Sequence, residues 1–148
     1  MPLFLTALVL CISMIPAGAA DAATDKEAVR QAVLDYVEAV YLAQPERIDR
    51  SIHTELAKRG FYRAPKTSEY KESKMAFERL RWLAENWSKN LKVPVDKLPK
   101  EIVVFDVLDM TAAAKLSADW GTDYFHLAKY DGKWKVVHVL WQSYPRDK

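Results

Sequence analysis

The sequence predicts an α+β fold, with helices packed on one face of a curved antiparallel sheet. Apolar residues in the first half recur at spacings of three and four, the helical period. From Glu101 onward they recur at two, the strand period. Two of these later runs are joined by Asp131-Gly132 alone, a dipeptide suited to a two-residue hairpin turn. Helices first and a meander last place the helices together on one side of the sheet. Three N-terminal helices and four main strands are expected.

The first residues stand apart from this pattern. The run "LFLTALVLCISMI", Leu3 to Ile15, is apolar but short for a membrane span. It is followed by Pro16 and the small residues "AGAADAA". This is the anatomy of a secretory signal peptide over residues 1–22, cleaved between about Ala19 and Ala23. The domain then occupies residues 23–148, in the periplasm or secreted, and free of the membrane once the signal is removed. Cys11 lies within the signal, so the domain has no cysteine and must be held by its apolar core.

The first helix is expected to start at the capping box Thr24-Asp25-Lys26-Glu27. It continues through Val29, Ala32, Val33, Tyr36, Val37, Val40 and Tyr41, which share one face. Pro45 opens a second, shorter helix, "PERIDRSIH". Gly60 interrupts the pattern, and Phe61 to Arg63 is expected as a short strand at most. The third helix is expected over Ser73 to Asn90, ending before the two prolines of "KVPVDKLPK". The four strands are expected at Ile102–Leu108, Thr111–Trp120, Thr122–Tyr130 and Lys133–Trp141.

The Asp131-Gly132 turn sets a register, and register decides which face each side chain takes. Tyr130 is expected opposite Lys133, Leu127 opposite Val136 and Phe125 opposite His138. The face under the helices then collects Ala112, Ala114, Leu116, Ala118, Asp123, Phe125, Leu127, Trp134, Val136, His138 and Leu140. Its small alanines leave room for a cavity. The opposite face collects Lys115, Ser117, Tyr124, His126, Ala128, Tyr130, Lys133, Lys135, Val137, Val139 and Trp141, a mixed set yet too aromatic and β-branched to be left in water. A homodimer packed through these outer faces is expected.

A formal net charge of +2 is too weak for a nucleic-acid footprint. No serine elbow, phosphate-cradling glycine loop or metal-ligand spacing is present. No cofactor and no metal are therefore expected.

The segments "TDYFHLAKYDGKWKVVHVLW" and "AVRQAVLDYVEAVYLAQPERIDRSIHTELAKRGFYR" resemble the nuclear transport factor 2-like superfamily. Within it, the chain is most similar to the bacterial group labelled putative lumazine-binding. The resemblance implies a cystatin-like cone, often dimeric, with a pocket between the helices and the concave sheet. It does not imply one function, since relatives include isomerases, dehydratases, polyketide cyclases and pure binding domains.

Within that frame, His138 and Asp123 are the candidate catalytic pair, because a carboxylate can orient an imidazole for acid–base work. Tyr36, His53, Arg59, Tyr62, Phe125 and Leu127 are the candidate ligand-pocket residues. His126 is expected to face outward. The leading reading is a small-molecule-binding domain without catalysis. The alternatives are a cofactor-free isomerase or dehydratase using the His138/Asp123 pair, and a non-catalytic dimeric interaction module.

Overall fold

In the computed structural model, residues 17–64, 67 and 69–145 are described. The apolar run read as a signal lies outside them. Helix α1 spans Ala17–Leu42 and helix α2 Glu46–Ser51. Strands β1 (Ile52–Arg63) and β2 (Tyr70–Met75) come next, then helix α3 (Phe77–Asn86). Two short 3-10 turns, Trp87–Asn90 and Val95–Lys97, lead into β3 (Lys100–Val107). Strands β4 (Thr111–Ala118), β5 (Gly121–Tyr130) and β6 (Lys133–Gln142) complete the sheet.

The helices pack on a single sheet, but that sheet has six strands rather than four, in the order β2-β1-β6-β5-β4-β3. Strand β1 lies parallel to β6, and every other neighbouring pair is antiparallel. The three helices are also not consecutive, because β1 and β2 fall between α2 and α3. The expected second helix stops at Ser51, and His53 is already in β1. The expected third helix loses Ser73 to Met75 to β2.

Helix α1 buries the stripe the spacing predicts. Val29, Val33, Tyr36, Val37, Val40 and Tyr41 are all buried, with Ala32 and Ala39 beside them. Its start differs from expectation: the helix runs unbroken from Ala17 through Thr24, so Thr24 is not an N-cap. Alanine is the strongest helix former, and the alanine-rich stretch before Thr24 extends the helix. Asp25 instead ties the helix to the sheet. Its carboxylate accepts from Lys129 Nζ at 2.6 Å and from Trp134 Nε1 at 3.0 Å. Asp35, nearly buried, clamps α1 to α2 by accepting from Arg47 at 2.7 Å and from Arg50 at 2.7 and 2.8 Å.

The hairpin turn forms as expected, with positive φ at Asp131 (49°) and Gly132 (74°). Leu127 pairs with Val136, also as expected. One residue further the register changes. His126 pairs with His138 and Phe125 with Val139, which leaves Val137 as an extra residue in a β-bulge. From His138 onward every β6 side chain therefore takes the face opposite to the expected one. Val139 is fully buried, while Leu140 is 41% exposed.

The β4–β5 turn is Asp119-Trp120, so Leu116 pairs with Asp123 and Ala114 with Phe125. This register keeps the alternate residues of the two strands on one face. Ala112, Ala114, Leu116, Ala118, Phe125 and Leu127 are buried as expected.

Candidate binding site

The site forms where Tyr36 and Val40 of α1, Leu83 of α3 and Trp87 face residues on the inner side of β1, β5 and β6. Alternation along β1 turns Leu56, Lys58 and Gly60 inward and leaves Ala57, Arg59 and Phe61 exposed. Across β6, Lys58 pairs with Val139 and Gly60 with Trp141. Gly60 is required for a close approach: a Cβ there would lie 2.2 Å from the Trp141 ring. The missing side chain gives that indole its seat.

Lys58 and Asp123 meet at the floor. Lys58 Nζ donates to Asp123 Oδ1 at 2.9 Å and to Tyr36 Oη at 2.6 Å. Tyr36 Oη donates to the same carboxylate oxygen at 3.2 Å, and Trp120 Nε1 donates to Asp123 Oδ2 at 2.5 Å. Asp123 is completely buried, and the Lys58 side chain is only 4% exposed. A carboxylate out of water needs such partners, because an uncompensated buried charge is costly. Burial, and next the Asp123 charge, push the Tyr36 hydroxyl well above its ordinary value, so it stays a neutral donor.

Above this floor is a cavity of about 230 Å³ lined by Tyr36, Val40, Lys58, Met75, Leu83, Trp87, Trp120 and Trp141. Aromatic contacts hold its walls. Tyr36 packs edge-on against Phe125 at 5.1 Å and Trp120 at 6.2 Å. Tyr41 stacks on Trp87 at 5.6 Å, and Trp87 meets Trp120 edge-on at 5.6 Å. Burial pushes the Tyr41 hydroxyl up to about 12, and that hydroxyl donates to Pro99 O at 2.6 Å. Leu83 and Trp87 also border a wider surface groove of about 580 Å³ that includes Trp82, Leu91 and Val93.

Of the six residues expected in the pocket, Tyr36 alone lines this cavity. Phe125 and Leu127 are buried in the hydrophobic core and do not line it. His53 lies outside, its Nδ1 accepting from Glu55 N–H at 3.1 Å and its ring 4.6 Å from that of Tyr130. Arg59 faces away from the helices and pairs with Glu72 at 3.6 Å. Tyr62 is 38% exposed near the end of β1.

The expected catalytic pair is not brought together. Asp123 faces the helices, whereas the bulge turns His138 to the outer face, where its Nδ1 lies 3.2 Å from Nδ1 of His126. Burial, then the nearby His126 and Arg59, hold His138 below the ordinary histidine value. Among the described residues no group of three or more His, Cys, Asp or Glu side chains converges to hold a metal ion.

Val40, Lys58, Met75, Leu83, Trp87, Trp120 and Trp141 were not among the expected lining residues, and Lys58 is the charged one. The alternation of Leu56, Lys58 and Gly60 within "ELAKRGF" was its one available signal, and a lysine at an inward position needs a buried partner.

The fold is the one seen in nuclear transport factor 2-like proteins and is cystatin-like. The sequence matches the model of the family described as "Putative lumazine-binding" over residues 24–142, and the chain belongs to that family. Among solved structures it is similar to a nuclear transport factor 2-like protein of unknown function from Shewanella baltica. There the identity is 19% and the TM-score 0.67, covering 84% of this chain and 97% of that one. A cystatin-like protein from Novosphingobium aromaticivorans is 11% identical with a TM-score of 0.61, covering 92% and 94%. A "Putative Scytalone Dehydratase" from the same organism is 12% identical with a TM-score of 0.53, covering 83% and 86%. Among curated proteins, none matches the sequence.

Proposed function

We propose that the chain is a small-molecule-binding domain, exported to the periplasm or secreted, that works as a homodimer and does not catalyse a reaction. The observation that carries the binding reading is the cavity over Lys58, walled by Tyr36, Trp87, Trp120 and Trp141. Concave, mostly aromatic walls with one or two fixed polar groups are the usual form of a small-molecule site. The family description points to the same class of ligand.

Binding without turnover is supported by the state of the polar groups. Asp123 is sealed from the cavity by three donors, and the imidazole that could have relayed a proton lies across the sheet. Export is supported by the signal-like first residues. Among the described residues, no helix is long and apolar enough to cross a membrane. The homodimer is supported by the outer sheet face, where Phe61, Val103, Phe105, Tyr124 and Leu140 are each at least 40% exposed. Solution mass at micromolar concentration checks it, and a clean monomer removes it.

The test of binding is native mass spectrometry on protein purified from its own host. A retained molecule of defined mass, lost when the cavity is blocked by Val40→Trp, is the expected result. A bare chain in that experiment, together with tryptophan emission that no flat aromatic compound changes, refutes it.

The second reading is a cofactor-free dehydratase or isomerase, favoured by the scytalone dehydratase likeness. Its polar groups would be Tyr36 and Lys58 in place of His138. Turnover of a hydroxyketone that disappears in Tyr36→Phe would replace the binding reading with this one.

A further inference from the structure

The outer face of the sheet carries a pair of imidazoles at its centre. Strands β6 and β5 are the third and fourth of the six. His126 is the sixth of ten residues in β5, His138 is the sixth of ten in β6, and the two are directly paired. The Val137 bulge is what brings both to one face. The next pair along that face, Tyr124 and Leu140, is exposed.

The two Nδ1 atoms are 3.2 Å apart and the ring centres 5.3 Å apart, so these nitrogens face each other. One Nδ1 donates and the other accepts, which requires an unprotonated nitrogen. The spacing also suits a metal ion. Two nitrogens each about 2.05 Å from a tetrahedral zinc ion lie about 3.3 Å apart. Adjacent ligands of a square-planar copper or nickel ion would lie about 2.8 Å apart. The observed distance matches the tetrahedral edge. When the ion enters, the proton between the rings moves to Nε2 of the ring that held it, and both Nδ1 atoms present lone pairs.

One chain supplies half of such a site. Structural zinc sites take four ligands, and among the described residues no third His, Cys, Asp or Glu side chain joins the two. A second copy has the missing pair. A symmetric contact that uses the whole face has its two-fold axis at the centre of that face. The imidazoles stand there, so the axis doubles two ligands into four. There is room for the approach, because Ala113, Ala128 and Val137 share with His126 a hollow of about 300 Å³, bordered also by Asp106. The neighbouring cations are engaged or set back. Arg59 is paired with Glu72 at 3.6 Å, Lys135 donates to the Asp49 carbonyl at 3.0 Å, and Lys115 stands one row away, opposite Tyr124.

We propose that His126 and His138 are half of a zinc site, completed by the same two residues of a second copy on the two-fold axis of the homodimer. The proposal rests on the reading that two copies pair through the outer sheet face.

Protein stripped of metal with EDTA and then dialysed is titrated with zinc ions by calorimetry. Sedimentation of a dilution series gives the dimer dissociation constant with and without zinc. One zinc per two chains is expected. With free zinc at about ten times its own dissociation constant, the dimer dissociation constant should fall roughly tenfold. Cobalt(II) in place of zinc should show the strong visible absorption of a tetrahedral ion. His126→Gln and His138→Gln should each lose the effect of zinc on the dimer while keeping the circular dichroism spectrum of the parent. A dimer that takes up no zinc overturns the proposal and leaves the pairing of the faces standing. One zinc per chain with no change in the dimer also overturns it, as does an undiminished zinc effect in either variant. A chain that stays monomeric with and without zinc removes the outer-face pairing and the proposal together.

Discussion

Replacing Lys58 by Met removes the ammonium and keeps most of the side-chain volume. Asp123, fully buried, is then left as an anion held only by the Tyr36 hydroxyl and the Trp120 indole N–H. Removing one partner of a buried ion pair costs about 3–5 kcal/mol, because the other charge stays out of water without compensation. The two surviving donors put Lys58→Met at the lower end, about 3 kcal/mol. For a domain of this length that is a fall of roughly 10 °C in Tm. Urea unfolding followed by circular dichroism measures it as a lower midpoint at unchanged slope. Lys58→Met/Asp123→Asn should recover most of the loss, since the amide still accepts hydrogen bonds but carries no charge. The cycle should give a coupling of about 2 kcal/mol. A Lys58→Met protein within about 0.5 kcal/mol of the parent refutes the reasoning. A double variant equal to the sum of the singles does so as well.

Gly60→Ala places a methyl group against the Trp141 ring and its carbonyl oxygen, at 2.2 and 2.3 Å. It should cost about 2 kcal/mol or more and weaken tryptophan quenching by any cavity ligand, which urea unfolding and a titration check. The Asp35 carboxyl is raised by burial, but its bonds to Arg50 and Arg47 lower it further, to a net value below the ordinary one. Its stabilising contribution is therefore present above about pH 3.9 and lost as pH falls through the lowered value. Asp35→Asn should be less stable than the parent at pH 7, with the gap closing in strong acid, and a pH series of Tm values reads this directly. His138 is held low by burial first, so the folded state prefers it neutral. Its contribution is present above about pH 6.5 and lost as pH falls through the lowered value. Proton NMR should find it titrating below free histidine, and His138→Phe should flatten that part of the stability profile.

How much of this was legible in the sequence depends on whether the deciding interaction was local. The Asp131-Gly132 turn and the alternation of β4 and β5 come from neighbours in the chain, and they were read correctly. Helix α1 was read correctly along its buried face, because its period is a local property. Strand β2 and the part of β1 before Phe61 were missed because their evidence is distant, while the short strand expected at Phe61 to Arg63 is the end of β1. Their sequences are rich in Lys, Arg and Glu, and β1 is a strand because β6 lies beside it. The Val137 bulge was invisible for a related reason: an added residue changes no composition and no period, only the partner. That one residue moved His138 out of the proposed catalytic pair and brought Trp141 into the cavity. Lys58 was passed over because lysine normally faces water, and Asp123, its reason for being inside, lies 65 residues further on.

The parallel pairing of β1 with β6 also fixes an order of events during synthesis. The ribosome delivers β1 early, yet its sheet neighbour on the inner side is the last strand made. Until residues 133–142 emerge, β1 has only the short β2 to pair with, and Lys58 has no carboxylate to meet until Asp123 arrives. Contacts this far apart in the chain form late, so the amino-terminal half cannot finish folding on its own. A nascent chain halted before β6 would carry an ammonium group that belongs in the core but is still held in solvent, and the floor of the site would be among the last parts of the molecule to set.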